Sequence, residues 1–355
     1  MSLFGDNVTS VLYDAKEDSN FTSKDSSASQ LLEVICNQYI GPILCAFGII
    51  GNTLSLIVSL YGKLRDPPYL YIRALAVMDT CALLVSFPFM VFSIGSTSYH
   101  WKWYEAYLFI PLANFFTASS VWITVTMTIE RYVVVKFPIW AKSGCSRCGV
   151  HFRIWMVLCA ATLNCIPRFF TYTVNHVSNG SYKLKPTPFR KGNVYYGIDI
   201  FCIIFLHFFP LVILGIGNAL LILEVRRAQK ARKVLNIRNN RETEFQKDQR
   251  RLSITLISIV VLSLCFIVPA TVSDIFLYSK FHKRPSGRQI SRVVRNLANV
   301  LLWCNLSFNF ILYCAFNKRF VRILRKMISL RPLRDKNNLL ISTRASMKTT
   351  DTTFL

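Results

Sequence analysis

Apolar residues along this chain gather into seven long runs separated by shorter polar stretches, at about 36–61, 69–95, 106–136, 151–171, 195–224, 252–279 and 291–314. The hydrocarbon core of a bilayer is about 30 Å thick, and a helix crosses it with roughly 20 apolar residues. Each run is long enough. In lipid, backbone groups must be satisfied within the segment, so every run is predicted as a helix. The pattern predicts an all-α membrane protein, a seven-transmembrane helix bundle over 36–315. Pro88, Pro167, Pro210 and Pro269 fall inside the runs or near their ends, where membrane helices tolerate proline because neighbours re-satisfy the backbone. Residues 316–328 alternate differently. Phe316, Phe320, Ile323, Leu324 and Met327 share one face at helical spacing and basic residues occupy the other, which predicts a short amphipathic helix lying on the inner membrane surface. Polar ends remain: a tail over 1–35, rich in Ser, Asp and Asn and expected to be disordered, and a second tail over 329–355.

Charge then fixes orientation. The net charge is +24, which on a soluble surface would suggest nucleic acid. Here the basic residues sit between apolar runs, so no nucleic-acid partner is expected. Of 42 Lys and Arg, 28 fall after runs one, three and five and in the C-terminal tail, counting inner helix ends, against 14 on the other side. Cytoplasmic loops retain the excess. The N-terminus is therefore expected outside and the C-terminus inside. Arg226 to Arg251 and Lys318 to Arg334 carry most of the inner charge, suited both to anionic membrane lipid and to a cytoplasmic partner. Sequons at Asn7, Asn20 and Asn179 agree with this orientation. Met1 to Gln30 has no apolar core of a signal peptide, so the first run is expected to act as the membrane signal.

Most of the eleven cysteines, such as Cys81, Cys159, Cys202, Cys265 and Cys304, lie within apolar runs as small hydrophobes. Cys145 and Cys148 form the only close loop pair, with His151 nearby. No second pair completes a zinc set, so no metal site is expected. No phosphate loop, zinc helix or nucleophile elbow is present, and Asp79 and Glu130 lie in different runs at different depths. The chain is not expected to be an enzyme. Internal repeats and broken midplane helices, the marks of a transporter, are also missing from the sequence.

Ionisable residues inside membrane runs are costly and mark function by default. Asp79 lies in the second run, and Glu130, Arg131 and Tyr132 end the third. Asn52 follows Gly51 in the first, and Asn305 and Asn309 lie in the seventh. Gly51-Asn52, Leu75-Ala76 with Asp79, Glu130-Arg131-Tyr132, Trp155, Pro210, Pro269 and Asn309 with Tyr313 occur in order, one mark per run, over about 290 residues. In this the chain resembles rhodopsin-like (class A) G-protein-coupled receptors. Tyr69-Leu70-Tyr71-Ile72-Arg73-Ala74-Leu75-Ala76-Val77-Met78-Asp79 and Asn305-Leu306-Ser307-Phe308-Asn309-Phe310-Ile311-Leu312-Tyr313 look most similar to invertebrate FMRFamide-type neuropeptide receptors.

The resemblance implies roles. Asn52, Asp79, Asn305 and Asn309 would form a polar core, in many members with sodium near the Asp79 carboxylate. Glu130 would hold Arg131 at rest and release it on activation, with Tyr313 swinging inward and Pro269 bending the sixth helix. The implied function is binding of an extracellular ligand, an expected neuropeptide, and activation of a heterotrimeric G protein at the plasma membrane. A chemosensory receptor on the same fold, or a transporter, is the alternative. The lining of the ligand site maps to Ala113, Phe116, Asp199, Asp274 and Arg295. Amine receptors carry an Asp where Ala113 stands. Asp274 would pair an Arg of a peptide, or else Lys280 or Arg295 nearby. Arg288, Arg292 and Arg295 would capture an acidic ligand or simply face solvent. Trp101, Trp103, Tyr104 and Tyr107 read as interface anchors. The tail hydroxyls Thr343, Ser346, Thr349, Thr350, Thr352 and Thr353 suit phosphorylation and arrestin, and Thr353-Phe354-Leu355 a PDZ domain.

Several positions depart from the family. No Cys stands near Ala106 or in the loop over 172–194, so the usual outer disulfide is absent, and the loop must be held otherwise or be mobile. Phe266-Ile267-Val268-Pro269 lacks the family's Trp, and Phe310 replaces a proline. Gln249, Arg250 and Arg251 leave no acid at the base of the sixth run.

Overall fold

The computed structural model describes residues 31–62, 64, 66–93, 96–137, 147–177, 180–234, 254, 257–258, 260–269, 272 and 285–329. Leu31–Tyr61 forms α1, Pro67–Phe92 α2, Tyr99–Lys136 α3 and Arg147–Phe170 α4, each long and apolar enough to cross a membrane. Helix α5 starts at Asn193 and runs through Val234. Its stretch Phe209–Arg227 meets the same criterion. Val260–Pro269, labelled α6, falls inside the sixth apolar run. Helix α7 is bent: Val293–Ser307 and Asn309–Phe316 meet at 45° and count together as one span. Lys318–Ile328 forms α8. The arrangement is a seven-transmembrane bundle. Asn7, Asn20, Cys145, Asn179, Asp274 and both polar tails beyond 31–329 lie outside the described residues.

Helix α3 is the most buried of the spans and α4 the least. Helix α3 packs against α2, α4 and α5, while α1 packs against α2 and α7. The outer core joins Phe109, Ile110 and Ala113 of α3 to Leu83, Phe89 and Met90 of α2, Ile267 of α6, and Leu302, Trp303 and Leu306 of α7. The inner core joins Val58, Tyr69, Tyr71, Ile72, Ile123 and Met127 to Tyr313, Phe320 and Ile323.

Four wide, π-helical turns interrupt the outer halves: Ile35–Ile40, Phe89–Ser93, Glu105–Phe109 and Ile204–Phe208. Three precede Pro42, Pro111 and Pro210, and the fourth follows Pro88. A helical proline lacks the N–H for the carbonyl four residues back, and its ring crowds that carbonyl. Ahead of Pro42, Pro111 and Pro210 an extra residue in the turn moves the carbonyl aside and keeps the helix continuous. The bend in α7 has another cause. Phe310 cannot remove a hydrogen bond as proline would. Instead the carbonyl of Leu306, four residues before Phe310, accepts from Asn52 Nδ2 at 2.8 Å. A side chain inserted into the helical ladder is a recognised source of kinks.

The outer loop is neither disulfide-linked nor irregular. Tyr172–Val177 (β1) and Ser181–Pro186 (β2) pair antiparallel as a hairpin, the one departure from an all-helical chain among the described residues. Tyr172 and Leu184 are buried in the outer core beside Ala106 and Phe109. Tyr182 N–H donates to the Thr97 carbonyl at 2.8 Å, and the Tyr99 and Tyr182 rings meet edge to face. All the described cysteines are free.

The surface helix begins later than the apolar face suggested. Phe316 ends α7, and Asn317 caps α8, its side-chain oxygen accepting from Phe320 N–H at 3.0 Å. An amide in the capping position satisfies a first-turn donor and restarts the helix in a new direction. Phe320 and Ile323 are buried, while Phe316 is exposed.

Helices α1, α2 and α7 approach closely at Gly48, where a Cβ would meet Ser307 Oγ and, at 2.5 Å, Leu83 Cδ1. Overpacking of this kind costs about 1–3 kcal/mol. The Gly48→Val protein is expected to unfold at a lower temperature in detergent, and an unchanged melting temperature would contradict this packing.

Candidate functional site

Asp79 is completely buried at the centre of the bundle. Its carboxylate accepts from Ser120 Oγ on α3 at 2.6 Å and from Asn309 Nδ2 on α7 at 2.7 Å. Asp79 and Asn309 meet directly, but Asn52 turns to the Leu306 carbonyl. Asn305 is buried one turn before Asn309 and makes no hydrogen bond to the carboxylate among the described residues. Ser120 was missed. Its signal was spacing: it stands about three helical turns before Glu130-Arg131, on the same side of α3. Tyr313 is buried beside this site, its hydroxyl without a hydrogen-bond partner among the described residues.

At the inner end of α3, Glu130 and Arg131 are both buried. Glu130 pairs with Arg131, as the resemblance implied, and its closer contacts come from other helices. Arg131 Nη2 reaches Glu130 Oε1 at 3.4 Å, whereas Oε2 accepts from Tyr71 Oη at 2.7 Å and Arg153 Nη2 at 2.5 Å. Arg153 Nε also donates to Tyr71 Oη at 2.8 Å. The physical reason is reach. Adjacent residues on one helix point about 100° apart, whereas side chains from α2 and α4 meet Glu130 across the helix interfaces. Arg153 was detectable as a charge within the fourth apolar run, two residues before Trp155. Tyr132 is only half-buried, and its hydroxyl accepts from Lys136 Nζ at 2.6 Å. Pro269 is half-buried at the end of the described α6.

At the outer end, Ala113 is buried and Phe116 is packed against the same core, which the hairpin covers through Tyr172, Val174 and Leu184. Asp199 does not stand open. Its Oδ1 accepts from Arg168 Nη2 of α4 at 2.8 Å, with both side chains buried, and Arg168 also donates to Tyr195 Oη. Arg190 lies over the Tyr172 ring at 4.4 Å, tying the hairpin to this group. Arg295 is buried on α7. Beside it Asn296 Oδ1 accepts from Asn37 of α1 at 3.2 Å. Lys102 and Glu105 form a buried ion pair of 2.8 Å in the turn leading to Ala106. Neither the Arg168 nor the Lys102 pair was foreseen.

A buried acid in mid-bundle, a Glu-Arg-Tyr group at the inner end of α3 and a covered apolar outer core are now in place. The sequence model of the family described as "7 transmembrane receptor (rhodopsin family)" matches residues 51–313, well over half the chain. This chain belongs to that family. A probable G-protein coupled receptor of Caenorhabditis elegans is 28% identical over 320 residues, covering 83% of this chain and 69% of the relative. The FMRFamide receptor of Drosophila melanogaster is 26% identical over 302 residues, 79% of this chain and 51% of its own length. The sex peptide receptor of the same fly is 25% identical over 311 residues, 79% of this chain and 70% of its own. The receptor thus spans about half the length of the FMRFamide receptor it matches.

Removing one member of a buried ion pair leaves the other charge uncompensated, at a cost of about 3–5 kcal/mol. In this receptor Asp199→Ala should strand Arg168 and lower the unfolding temperature markedly. Asp199→Asn, which keeps an acceptor, should lose less. Equal losses would show that Arg168 does not depend on the carboxylate.

Proposed function

We propose that this receptor binds an extracellular peptide and, in response, activates a heterotrimeric G protein at the plasma membrane, with its N-terminus outside. Ala113 carries the ligand class: the outer half of α3 presents a methyl group in an apolar core, so there is no carboxylate at that place to pair an amine. Relatives named for FMRFamide and for sex peptide support a peptide. Asp274 and Arg295 are the charged groups assigned to ligand, and Phe116 an apolar contact. Asp199 contributes through Arg168, by fixing the outer ends of α4 and α5.

Signalling uses Arg131 with Glu130 and Tyr132 at the inner face, and Asn309, Tyr313 and Pro269 in the helices that rearrange. Such a device needs two packings close in free energy, one favoured by the ligand. A sodium ion fits the donors at Asp79: a buried carboxylate bonded to two neutral groups, with the Ser120 hydroxyl as a further oxygen. When bound it would supply compensating charge. The chain divides into an extracellular tail over 1–35, a bundle over 36–315, a surface helix over 316–328 against membrane lipid and a cytoplasmic tail over 329–355. The tail offers its hydroxyls to arrestin and its last three residues to a PDZ domain. Asn7, Asn20 and Asn179 carry glycans.

The test is a second-messenger assay in cells displaying the chain, challenged with amidated peptides ending in Arg-Phe. A dose-dependent response is expected, abolished by Arg131→Ala and lost in Asp274→Ala. Silence across the panel, with surface display confirmed, would reject this peptide class.

A further inference from the structure

Glu130 has more claimants than one carboxylate serves well. Oε2 takes the Tyr71 hydroxyl at 2.7 Å and the Arg153 guanidinium at 2.5 Å, and Oε1 faces Arg131 at 3.4 Å. Charge-assisted hydrogen bonds are strong near 2.7–2.9 Å and weaken with length. The short contacts come from α2 and α4. Two guanidinium charges therefore share one buried acid. The α4 cation neutralises the acid that would otherwise restrain Arg131, and it repels Arg131 as a like charge. Tyr71 reinforces the division, because its hydroxyl accepts from Arg153 Nε at 2.8 Å while donating to Glu130. The three side chains form a closed triangle joining α2, α3 and α4. Arg153 is about a third exposed, whereas Glu130 is almost completely buried.

From this geometry we infer that Arg153 is a positioning residue of the signalling switch: by holding Glu130 toward α2 and α4, it weakens Glu130's restraint on Arg131 and raises the activity of the receptor without ligand. This rests on the G-protein reading above. The sign is opposite to that of a lock. Neutralising Arg153 returns the whole carboxylate to Arg131, so the quiet state gains. Arg153→Lys keeps the positive charge beside the acid. Tyr71→Phe removes the reinforcing hydroxyl and acts in the same direction as neutralising Arg153, but less.

The experiment measures ligand-independent nucleotide exchange on G protein, per displayed receptor, for the full chain. Arg153→Gln is expected to lower it by about fivefold or more, the lower range of measured couplings between sites, and Arg153→Lys to retain most of it. In a Glu130→Gln background, Arg153→Gln should have no further effect, since no carboxylate remains to be divided. A rise in Arg153→Gln, or lower surface display with unchanged activity per receptor, overturns the inference and leaves Arg153 a structural residue. A silent native chain beside an active Glu130→Gln variant overturns it alone. Silence of native chain and Glu130→Gln alike, with amidated Arg-Phe peptides added, overturns the coupling reading and this inference with it.

Discussion

A carboxylate at the centre of a membrane bundle must find donors inside the protein, and Asp79 finds them on two other helices. Ser120 of α3 and Asn309 of α7 each donate to one of its oxygens. Leaving a buried polar group unpaired costs about 1–3 kcal/mol, and more for a charge. That penalty fixes the register of α2, α3 and α7 along the bundle axis more sharply than apolar contacts, which slide at little cost between similar side chains. Around this point the outer core and the inner core are built as separate clusters. The polar layer separates two apolar compartments, one toward the start of α3 and the other toward its end.

The family's departures acquire physical substitutes on this frame. Phe310 takes the place of a proline, yet α7 still bends by 45°, because Asn52 claims the Leu306 carbonyl and Ser307 Oγ donates to the Leu44 carbonyl at 2.9 Å. The kink has moved from a covalent cause within α7 to a hydrogen bond from α1. At the outer end the missing disulfide is replaced by burial of Tyr172 and Leu184, a backbone bond from Tyr182 to Thr97 and the Arg190–Tyr172 stack. A disulfide acts largely by limiting the unfolded chain. These contacts act only in the folded one, so the hairpin is held by packing that a change of state is free to alter.

How much was legible in the sequence follows from the range of each signal. Helix number and approximate limits were readable because hydrophobic length is a local property. Asp79, Asn309, Glu130 and Arg131 were readable because charges and amides in apolar runs stand out. Their partners were not. Ser120 is one hydroxyl among several on α3, and Tyr71 sits in an apolar run where tyrosine is unremarkable. Arg153 and Arg168 are visible as charges toward the two ends of the fourth apolar run, but there basic residues also suit the membrane interface on topological grounds alone, so their partners were hidden. Only the packing of α4 against α2, α3 and α5 turns them toward Glu130 and Asp199. The hairpin was equally hidden, since residues 172–186 alternate too weakly to separate a strand pair from a polar loop.

The distribution of satisfied and unsatisfied groups bears on how such a bundle moves. At the outer ends of α3, α4 and α5 four buried charges form close pairs, Lys102 with Glu105 and Arg168 with Asp199, each at 2.8 Å. Along α7 and in the middle and inner bundle the accounting is looser: in the outer half of α7, Asn296 Nδ2 and Asn299 Oδ1 are buried without hydrogen-bond partners among the described residues. The Tyr313 hydroxyl, the Asn52 Oδ1 and both side-chain polar atoms of Asn218 are buried without hydrogen-bond partners among the described residues. Native interiors leave few such groups, and those that persist mark a place for water or an ion, stored free energy or an alternative arrangement. A bundle with every polar atom satisfied gains nothing in hydrogen bonding by repacking. One with unmet donors and acceptors on α1, α5 and α7 does gain, and the gain offsets part of the cost of disrupting apolar contacts. The distribution therefore places rigidity at the outer ends of α3, α4 and α5 and the capacity for rearrangement along α7 and in the inner half, where Glu130 divides its charge among three helices.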